Sequence, residues 1–165
     1  MNLSKLTVAL LLISLSYSSV AQSRAIKRQQ DSLLRAEIDN LVRTGNFAVL
    51  VVHQPTRSLY TSHVNNFEER RIIIRNDSIF GDLPFQGSSS SSPYHSSFGG
   101  YRFYDPIETG TVKKKRRHYL VSLLVRQSAE IFNIAIEIDF HGNVSMHINS
   151  SKRSVSLFRG VIQNP

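Results

Sequence analysis

The chain has 165 residues, a formal net charge of +8 and no cysteine. The lack of cysteine excludes disulfides and thiolate ligands for metals. The positive charge favours contact with polyanions but does not bear on the fold, and the length suits one domain with its own hydrophobic core.

Residues 1–21 have the anatomy of a secretory signal peptide. A lysine precedes an apolar run over residues 6–15, and Ser19-Val20-Ala21 forms a small-residue cleavage site. The run is far shorter than the roughly 20 residues that cross a bilayer. We predict cleavage before Gln22, which leaves one domain over residues 22–165 with a charge of +7 and no transmembrane span. The expected location is exported, either periplasmic or extracellular, and the cysteine-free composition favours a bacterial envelope protein.

Residues 24–43 are predicted to form an N-terminal helix. Its apolar residues recur at three- and four-residue spacing and form one stripe, for which a sheet is the expected partner. Asp39 and Arg43 are placed for an ion pair within the helix. Gly45 occupies the position of a left-handed C-terminal cap. The stripe consists of Ile26, Leu33, Leu34, Ile38, Leu41 and Val42.

Short strands are predicted to follow the helix. Residues 47–53 are apolar on both faces, which fits a strand covered on both sides. Residues 58–62 form a further short strand. Residues 71–75 and 78–80 form a hairpin closed by Asn76-Asp77, because both residue types tolerate the positive φ angles of a type I′ turn.

Residues 82–100 are predicted to be a long, serine-rich loop. Proline, serine and glycine dominate the segment, which includes the five serines Ser88–Ser92. Loops of this length are usually functional or disordered. The aromatic residues Phe85, Tyr94 and Phe98 are expected to pack back against the domain.

Two strands are predicted on either side of a basic run. Residues 101–107 form the first, with Tyr101, Phe103 and Asp105 on the face opposite Arg102 and Tyr104, and they end before the five cations at residues 113–117. Residues 118–126 follow, with Tyr119, Val121, Leu123 and Val125 on the inward face. The basic run is therefore expected at a hairpin tip.

The strongest pattern is the hairpin that comes next. Residues 132–140 alternate apolar and polar side chains with the period of two that marks a strand with one buried face. His141-Gly142-Asn143 provides the turn, and residues 144–149 return with Val144, Met146 and Ile148 inward. Residues 154–162 form the last strand, in which Val155 and Leu157 are predicted to point inward.

These elements predict a mainly β domain of the α+β class. The N-terminal helix packs on a curled antiparallel sheet or on a partly closed β-barrel of about eight strands. Strong curl is expected because an open sheet of this size would expose long edges. Lipocalin-like and cystatin-like arrangements both satisfy the pattern.

The sequence contains no recognisable pattern of catalytic, metal-binding or cofactor-binding residues. The histidines lack metal-ligand spacing, and neither a nucleophile elbow nor a phosphate-binding loop occurs. Glu68-Glu69 and the pair Glu137 and Asp139 are closely spaced carboxylates of the kind that a glycosidase uses, but the second pair lies on the polar face of a strand. We therefore expect no enzymatic activity, no metal and no cofactor. The histidines are His53, His63, His95, His118, His141 and His147.

The basic run is the candidate contact site, and it consists of Lys113, Lys114, Lys115, Arg116 and Arg117. A nucleic acid partner is not expected, because an exported protein rarely meets genomic DNA. A charged turn that prevents edge-to-edge aggregation explains the run without any partner. The sharper interpretation is contact with an anionic envelope surface or with another envelope protein.

Three short motifs occur in a familiar order behind the signal peptide and the helix. They are Leu83-Pro84-Phe85-x-Gly87, His141-Gly142-Asn143-Val144 and Arg153-Ser154-Val155-Ser156-x-x-x-Gly160. Together they resemble an uncharacterised family of secreted domains from Bacteroidota that is catalogued as a domain of unknown function. The resemblance covers nearly all of the predicted mature chain and implies an envelope or secreted location and a β-rich domain. It implies no activity and no catalytic residues.

The function expected from these observations is a secreted or periplasmic binding or interaction domain without enzymatic activity. One alternative is a carrier of a hydrophobic small ligand, which requires a cavity in the β-structure lined by Phe, Tyr and Ile. Another is a hydrolase of envelope polysaccharide, which requires two carboxylates or a Ser–His pair that meet in a cleft.

Overall fold

The structure, a computed structural model, describes residues 24, 26–53, 70–85, 100–128 and 130–165. The chain divides into two compact units, Met1–Ala36 and Glu37–Pro165, and the second unit contains all of the β-structure.

Eight strands close into one antiparallel barrel in which each strand pairs with its neighbours in sequence. The last strand returns to pair with the first and completes the closure. This arrangement confirms a mainly β domain of eight strands and selects the closed barrel over the open sheet. The strands are β1 Phe47–His53, β2 Arg70–Arg75, β3 Ser78–Leu83, β4 Tyr101–Lys114, β5 His118–Gln127, β6 Glu130–Asp139, β7 Asn143–Ser150 and β8 Ser156–Gln163.

The helix α1 covers residues 26–44 and ends at Gly45, whose φ of +67° provides the predicted left-handed cap. The predicted stripe is buried only in its second half. The buried members, Ile38, Leu41 and Val42, join the barrel core, whereas Ile26, Leu33 and Leu34 are exposed. The last turns of the helix therefore pack on the barrel, as expected for a docking helix.

Inward side chains fill the barrel. Tyr101, Phe103, Phe132 and Phe158 form an aromatic cluster with neighbouring ring centroids 5.3–6.2 Å apart, and such pairs add to the energy of area burial. The inward residues of β6 are at most 2 % exposed, as the period-two pattern predicts, and they are Phe132, Ile134, Ile136 and Ile138. The aromatic cluster thus fills the barrel interior near the end at which β4 begins.

The closing pair of strands requires a glycine. β8 approaches β1 so closely that a Cβ at Gly160 would lie 2.0 Å from the backbone oxygen of Leu50. The register between the two strands shifts between Val51 and His53, which is the irregularity of a β-bulge. A glycine and a bulge at this seam bend the strands enough to close the barrel.

Turn chemistry agrees with the sequence at the β2–β3 hairpin. Asn76 and Asp77 have φ angles of +50° and +59°, the signature of the predicted type I′ turn. Phe85 packs against the core, as expected.

Several predicted features lie outside the described residues. They are the signal peptide, the strand over residues 58–62, the serine run with Tyr94 and Phe98, His63, His95 and Glu68-Glu69.

The predicted faces of the first and last strands need correction. In β8 the inward residues are Ser156 and Phe158, so the prediction that Val155 and Leu157 point inward is wrong by one residue, which reverses the faces. A serine fits inside because its hydroxyl bonds that of Tyr101 at 2.8 Å. In β1 the predicted cover on both faces is found only in the first half of the strand, because on the second face Ala48 is buried and Leu50 half-buried, whereas Val52 is exposed.

Two boundaries also differ from the prediction. β3 continues to Leu83, so the segment predicted as a loop from residue 82 begins later. β4 continues to Lys114, seven residues beyond the predicted end at Ile107, so it includes the first two cations of the basic run. The second difference arises because residues 108–114 are exposed on both faces and therefore show no hydrophobic alternation.

The core of β6 provides a direct test of the fold. Replacing Ile136, which is fully buried, with alanine should lower the free energy of unfolding by about 2–4 kcal/mol because it leaves a cavity. Asn133→Ala on the outward face of the same strand is the control and should change it by less than about 0.5 kcal/mol. Chemical denaturation monitored by circular dichroism measures both values. Equal, small effects would contradict the assignment of the inward face.

Candidate functional site

The basic run lies at the end of the β4–β5 hairpin. Lys113 and Lys114 end β4, and the N–H of Lys115 donates to the backbone oxygen of His118 at 2.8 Å, which closes the turn over Arg116 and Arg117. All five cations are exposed. The hairpin-tip position expected from the sequence is therefore found, although the turn itself is shorter than the run.

One of the five cations is engaged with the helix. The Lys114 ammonium lies 2.9 Å from a carboxylate oxygen of Asp39 and 5.2 Å from the centre of the Tyr119 ring. The other four, Lys113, Lys115, Arg116 and Arg117, form no ion pair with any described residue. These four side chains, here called the basic tip, present their charge to solvent.

Asp39 anchors the hairpin end to the last turns of the helix. Its carboxylate accepts a hydrogen bond from the Tyr119 hydroxyl as well as from Lys114, and Arg43 lies 3.4 Å away. The hydrogen bond from Tyr119, followed by that from Lys114, lowers the pKa of Asp39 below its ordinary value. The anchor fixes where the basic tip stands on the barrel.

Among the described residues, the second half of β4 has a neighbouring strand on one side, which is β5. β3 pairs with β4 as far as Ser78 opposite Pro106, and from Ile107 onwards β4 pairs with β5. The N–H of Ile107 still donates to the oxygen of Asp77 at 2.7 Å. From Glu108 to Lys114 the opposite edge of β4 faces no strand in the described part of the chain.

The hydrogen-bonding alternation identifies the groups on this open edge. Lys115 bonds His118, so in the continuous antiparallel register Lys113, Thr111 and Thr109 direct their backbone groups to β5. The intervening residues Gly110 and Val112 direct theirs away from β5. The N–H and C=O groups of these two residues are therefore the exposed edge of the sheet.

A cleft opens beside this edge, and we call it the notch. It has a volume of about 680 Å³ and lies between the helix–β1 turn, the β2–β3 turn and residues 107–112 of β4. Its floor is apolar, and Asn46, Asn76 and Asp77 contribute polar groups at its rim. The floor residues are Phe47, Ile74, Ile107, Val121 and Leu123.

The outer face of the same strand is also accessible. Thr109 and Thr111 line a shallow depression of about 460 Å³ that continues over β5, β6 and β7 to Ser122, Ala135 and His147. Small and polar side chains form this surface. The second half of β4 is therefore open on both faces and, as far as the described residues show, on one edge.

Of the carboxylate pair Glu137 and Asp139, which was considered for hydrolysis, Asp139 has a structural role. Asp139 accepts hydrogen bonds from the N–H groups of His141 and Asn143 and from the Asn143 amide at 2.7–2.9 Å, which holds the β6–β7 turn. Burial raises its pKa, but the hydrogen bonds from Asn143 and His141 outweigh this effect and lower it overall. Among the described residues no group of three His, Asp or Glu side chains is placed to hold a metal.

The opposite end of the barrel carries an ion pair that the sequence did not reveal. Arg153 lies 3.1 Å from Glu130, and both side chains are mostly buried. The Arg153 guanidinium also lies over the rings of Phe85 and Tyr101, at 5.5 and 5.4 Å from their centres. These contacts join the starts of β4 and β6 to the segment before β8, and the site is structural rather than open.

Comparison with known proteins identifies the fold. A family model described as a domain of unknown function (DUF4251) matches residues 29–162. The crystal structure of a DUF4251 family protein from Bacteroides eggerthii DSM 20697 is similar, with a TM-score of 0.60 and 11 % sequence identity over 82 % of this chain and 91 % of that chain. No curated protein matches significantly, and no helix within the described ranges has the length and hydrophobicity to cross a bilayer.

The lowered pKa of Asp39 predicts a pH-dependent contribution to stability. A carboxylate with a lower pKa in the folded state stabilises the fold above its unfolded pKa of roughly 3.9, and this contribution is lost as the pH falls through the folded pKa. Asp39→Asn should therefore destabilise the protein most above about pH 5 and least near pH 2. Urea denaturation across this range measures the difference. A difference that stays constant with pH would contradict the anchor.

Proposed function

The chain belongs to the DUF4251 family of domains of unknown function, and we propose that it is an exported, non-enzymatic interaction domain that binds an anionic partner through the β4–β5 hairpin end. The observation that carries the proposal is the basic tip, in which Lys113, Lys115, Arg116 and Arg117 are exposed and form no ion pair with any described residue. The partner is another envelope protein or an anionic envelope surface.

Electrostatics supports a partner at this place. Adjacent like charges repel one another, and salt screens this repulsion only in part over the short distances within a turn. The attraction between these cations and an anionic partner offsets their mutual repulsion, and it also raises the rate of association. The chain as a whole is positively charged, so its general field acts in the same direction.

Anchoring supports binding rather than mere solubility. The contacts of Asp39 with Tyr119 and Lys114 hold the base of the basic tip against the helix. A surface that is already ordered loses less conformational entropy when a partner binds. A turn that serves solubility alone does not require such an anchor.

A hydrophobic-ligand carrier is the second candidate function. The notch falls in the range of roughly 300–1,000 Å³ that is typical of small-molecule sites, and its floor is apolar. Because buried side chains fill the described part of the barrel interior, a ligand would lie in the notch. Binding of an apolar fluorescent probe that is insensitive to salt and to loss of the basic tip would favour this function.

Export is tested at the N-terminus. The segment Ser19-Val20-Ala21 should be cleaved so that the mature protein begins at Gln22. Mass spectrometry of protein recovered from the periplasm or medium of a bacterial host measures the N-terminus. Intact residues 1–21 on the recovered protein, or retention in the cytoplasm, would refute export by this signal.

The basic tip is tested by removing its charge. A variant with Lys113, Lys115, Arg116 and Arg117 changed to Gln should bind polyglutamate at least about a hundredfold more weakly at low salt, since each cation near an anionic surface contributes on the order of 1 kcal/mol. Raising the salt concentration should weaken binding of the wild type in the same way. Isothermal titration calorimetry measures the affinities, and anionic vesicles serve as a second probe.

The matched control removes the same charge elsewhere on the surface. Arg24, Lys27, Arg28 and Arg159 are exposed, and changing all four to Gln should leave most of the binding intact. Equal losses in the two variants would show that only net charge matters. That result, or the absence of binding by the wild type, would refute the proposed site.

A further inference from the structure

We propose that the open edge of β4 binds an extended, acidic segment of another polypeptide, which adds as a strand beside residues 108–114. This inference rests on the proposed function and specifies the partner that the basic tip attracts. The partner is defined by its chemistry, a short segment with carboxylates at one end and alternating apolar residues at the other.

The lengths of β3 and β4 leave part of the β4 edge without a neighbouring strand in the described ranges. β3 has 6 residues and β4 has 14, and their pairing ends at Pro106. The remaining edge of β4 is roughly 23 Å long, at about 3.3 Å per residue. Gly110 and Val112 direct N–H and C=O groups along it that pair with no described strand. An exposed edge of this kind is a template for pairing with another chain.

The burial of β4 changes at the same point. Phe103 is completely buried in the first half of the strand, whereas Val112, which also faces inward opposite Val121, is 48 % exposed. Val112 lacks cover because no neighbouring strand lies beside it among the described residues. An added strand would cover Val112 and place alternate side chains over the apolar floor of the notch.

The positive charge of the chain favours an acidic segment over a second copy of the chain at this edge. A second copy of this chain would bring another strongly basic protein to the edge, and like charges beside an edge disfavour such pairing. An acidic segment instead places its carboxylates beside the basic tip. Glu108, at the far end of the edge, does not oppose this arrangement strongly because it is paired with Arg126 at 3.1 Å.

The direction of the segment follows from the geometry. β4 runs from the notch towards the basic tip, so a strand antiparallel to it begins at the tip and ends in the notch. Antiparallel pairing is slightly more stable per residue than parallel pairing. The segment should therefore be acidic in its N-terminal half and apolar at alternate positions in its C-terminal half.

The experiment uses a blocked synthetic peptide of this design, with aspartate and glutamate first and alternating valine and threonine after them. The full-length protein and its variants are titrated with the peptide in fluorescence anisotropy. Val112→Pro removes an N–H that faces the open edge, where proline is tolerated, and should weaken peptide binding at least about tenfold. Its binding to dextran sulfate, which needs only the cations, should be unchanged.

Thr111→Pro is the matched control for the alternation of the backbone groups. Thr111 lies opposite Ser122 and directs its N–H into the β4–β5 ladder, so proline there breaks a ladder bond. This variant should melt at a clearly lower temperature than Val112→Pro. If the two variants are equally destabilised, or if Val112→Pro binds the peptide like the wild type, strand addition at this edge is wrong.

A second measurement leaves the protein unchanged. Methylating the alternate backbone nitrogens of the peptide that face β4 should abolish binding to the wild type, whereas methylating the other set should not. A peptide of reversed sequence should bind more weakly. Equal binding of all these peptides, with loss of binding in the basic-tip variant, would refute strand addition and leave the proposed function standing. No binding of any acidic probe would refute both.

Discussion

The fold depends on how the backbone N–H and C=O groups at the edges of its sheet find hydrogen-bond partners. Every strand carries N–H and C=O groups along both sides, and a barrel satisfies them by pairing its last strand with its first. Here the seam between β8 and β1 relies on Gly160, because any side chain at this position would overlap the backbone at Leu50.

The two ends of β4 differ in what lies beside the strand in the described part of the chain. Near the start of β4, the ion pair between Arg153 and Glu130 and the bond between Tyr101 and Ser156 join the elements tightly. Near the end of β4, the strand outruns its neighbour β3 and the notch opens. The same region carries the basic tip and its anchor to Asp39. An exposed edge, an apolar cleft and cations without an ion pair among the described residues thus occur together, and this coincidence is the basis for proposing that this end binds a partner.

The sequence predicted those elements that have one buried face, and the reasons for its failures are physical. Residues 132–148 alternate cleanly because one side of each strand meets the core. Residues 108–114 are exposed on both faces, so they produce no alternation, and the strand was predicted to end at Ile107. In β8, the inward face begins with a serine, whose hydroxyl is satisfied by Tyr101, and a polar residue at an inward position misleads a pattern based on hydrophobicity. The anchor joins Asp39 to side chains 75 and 80 positions away, a separation that local patterns do not reveal.

The alternation of backbone groups along β4 is the most direct test of this account, and amide hydrogen exchange measured by NMR reports on it residue by residue. In the free protein, the amides of Thr109, Thr111 and Lys113 should exchange slowly, and those of Gly110 and Val112 should exchange rapidly. Adding the acidic peptide should protect Gly110 and Val112 without changing the other three. Slow exchange of Gly110 and Val112 in the free protein would show that the edge is already paired and would contradict the account.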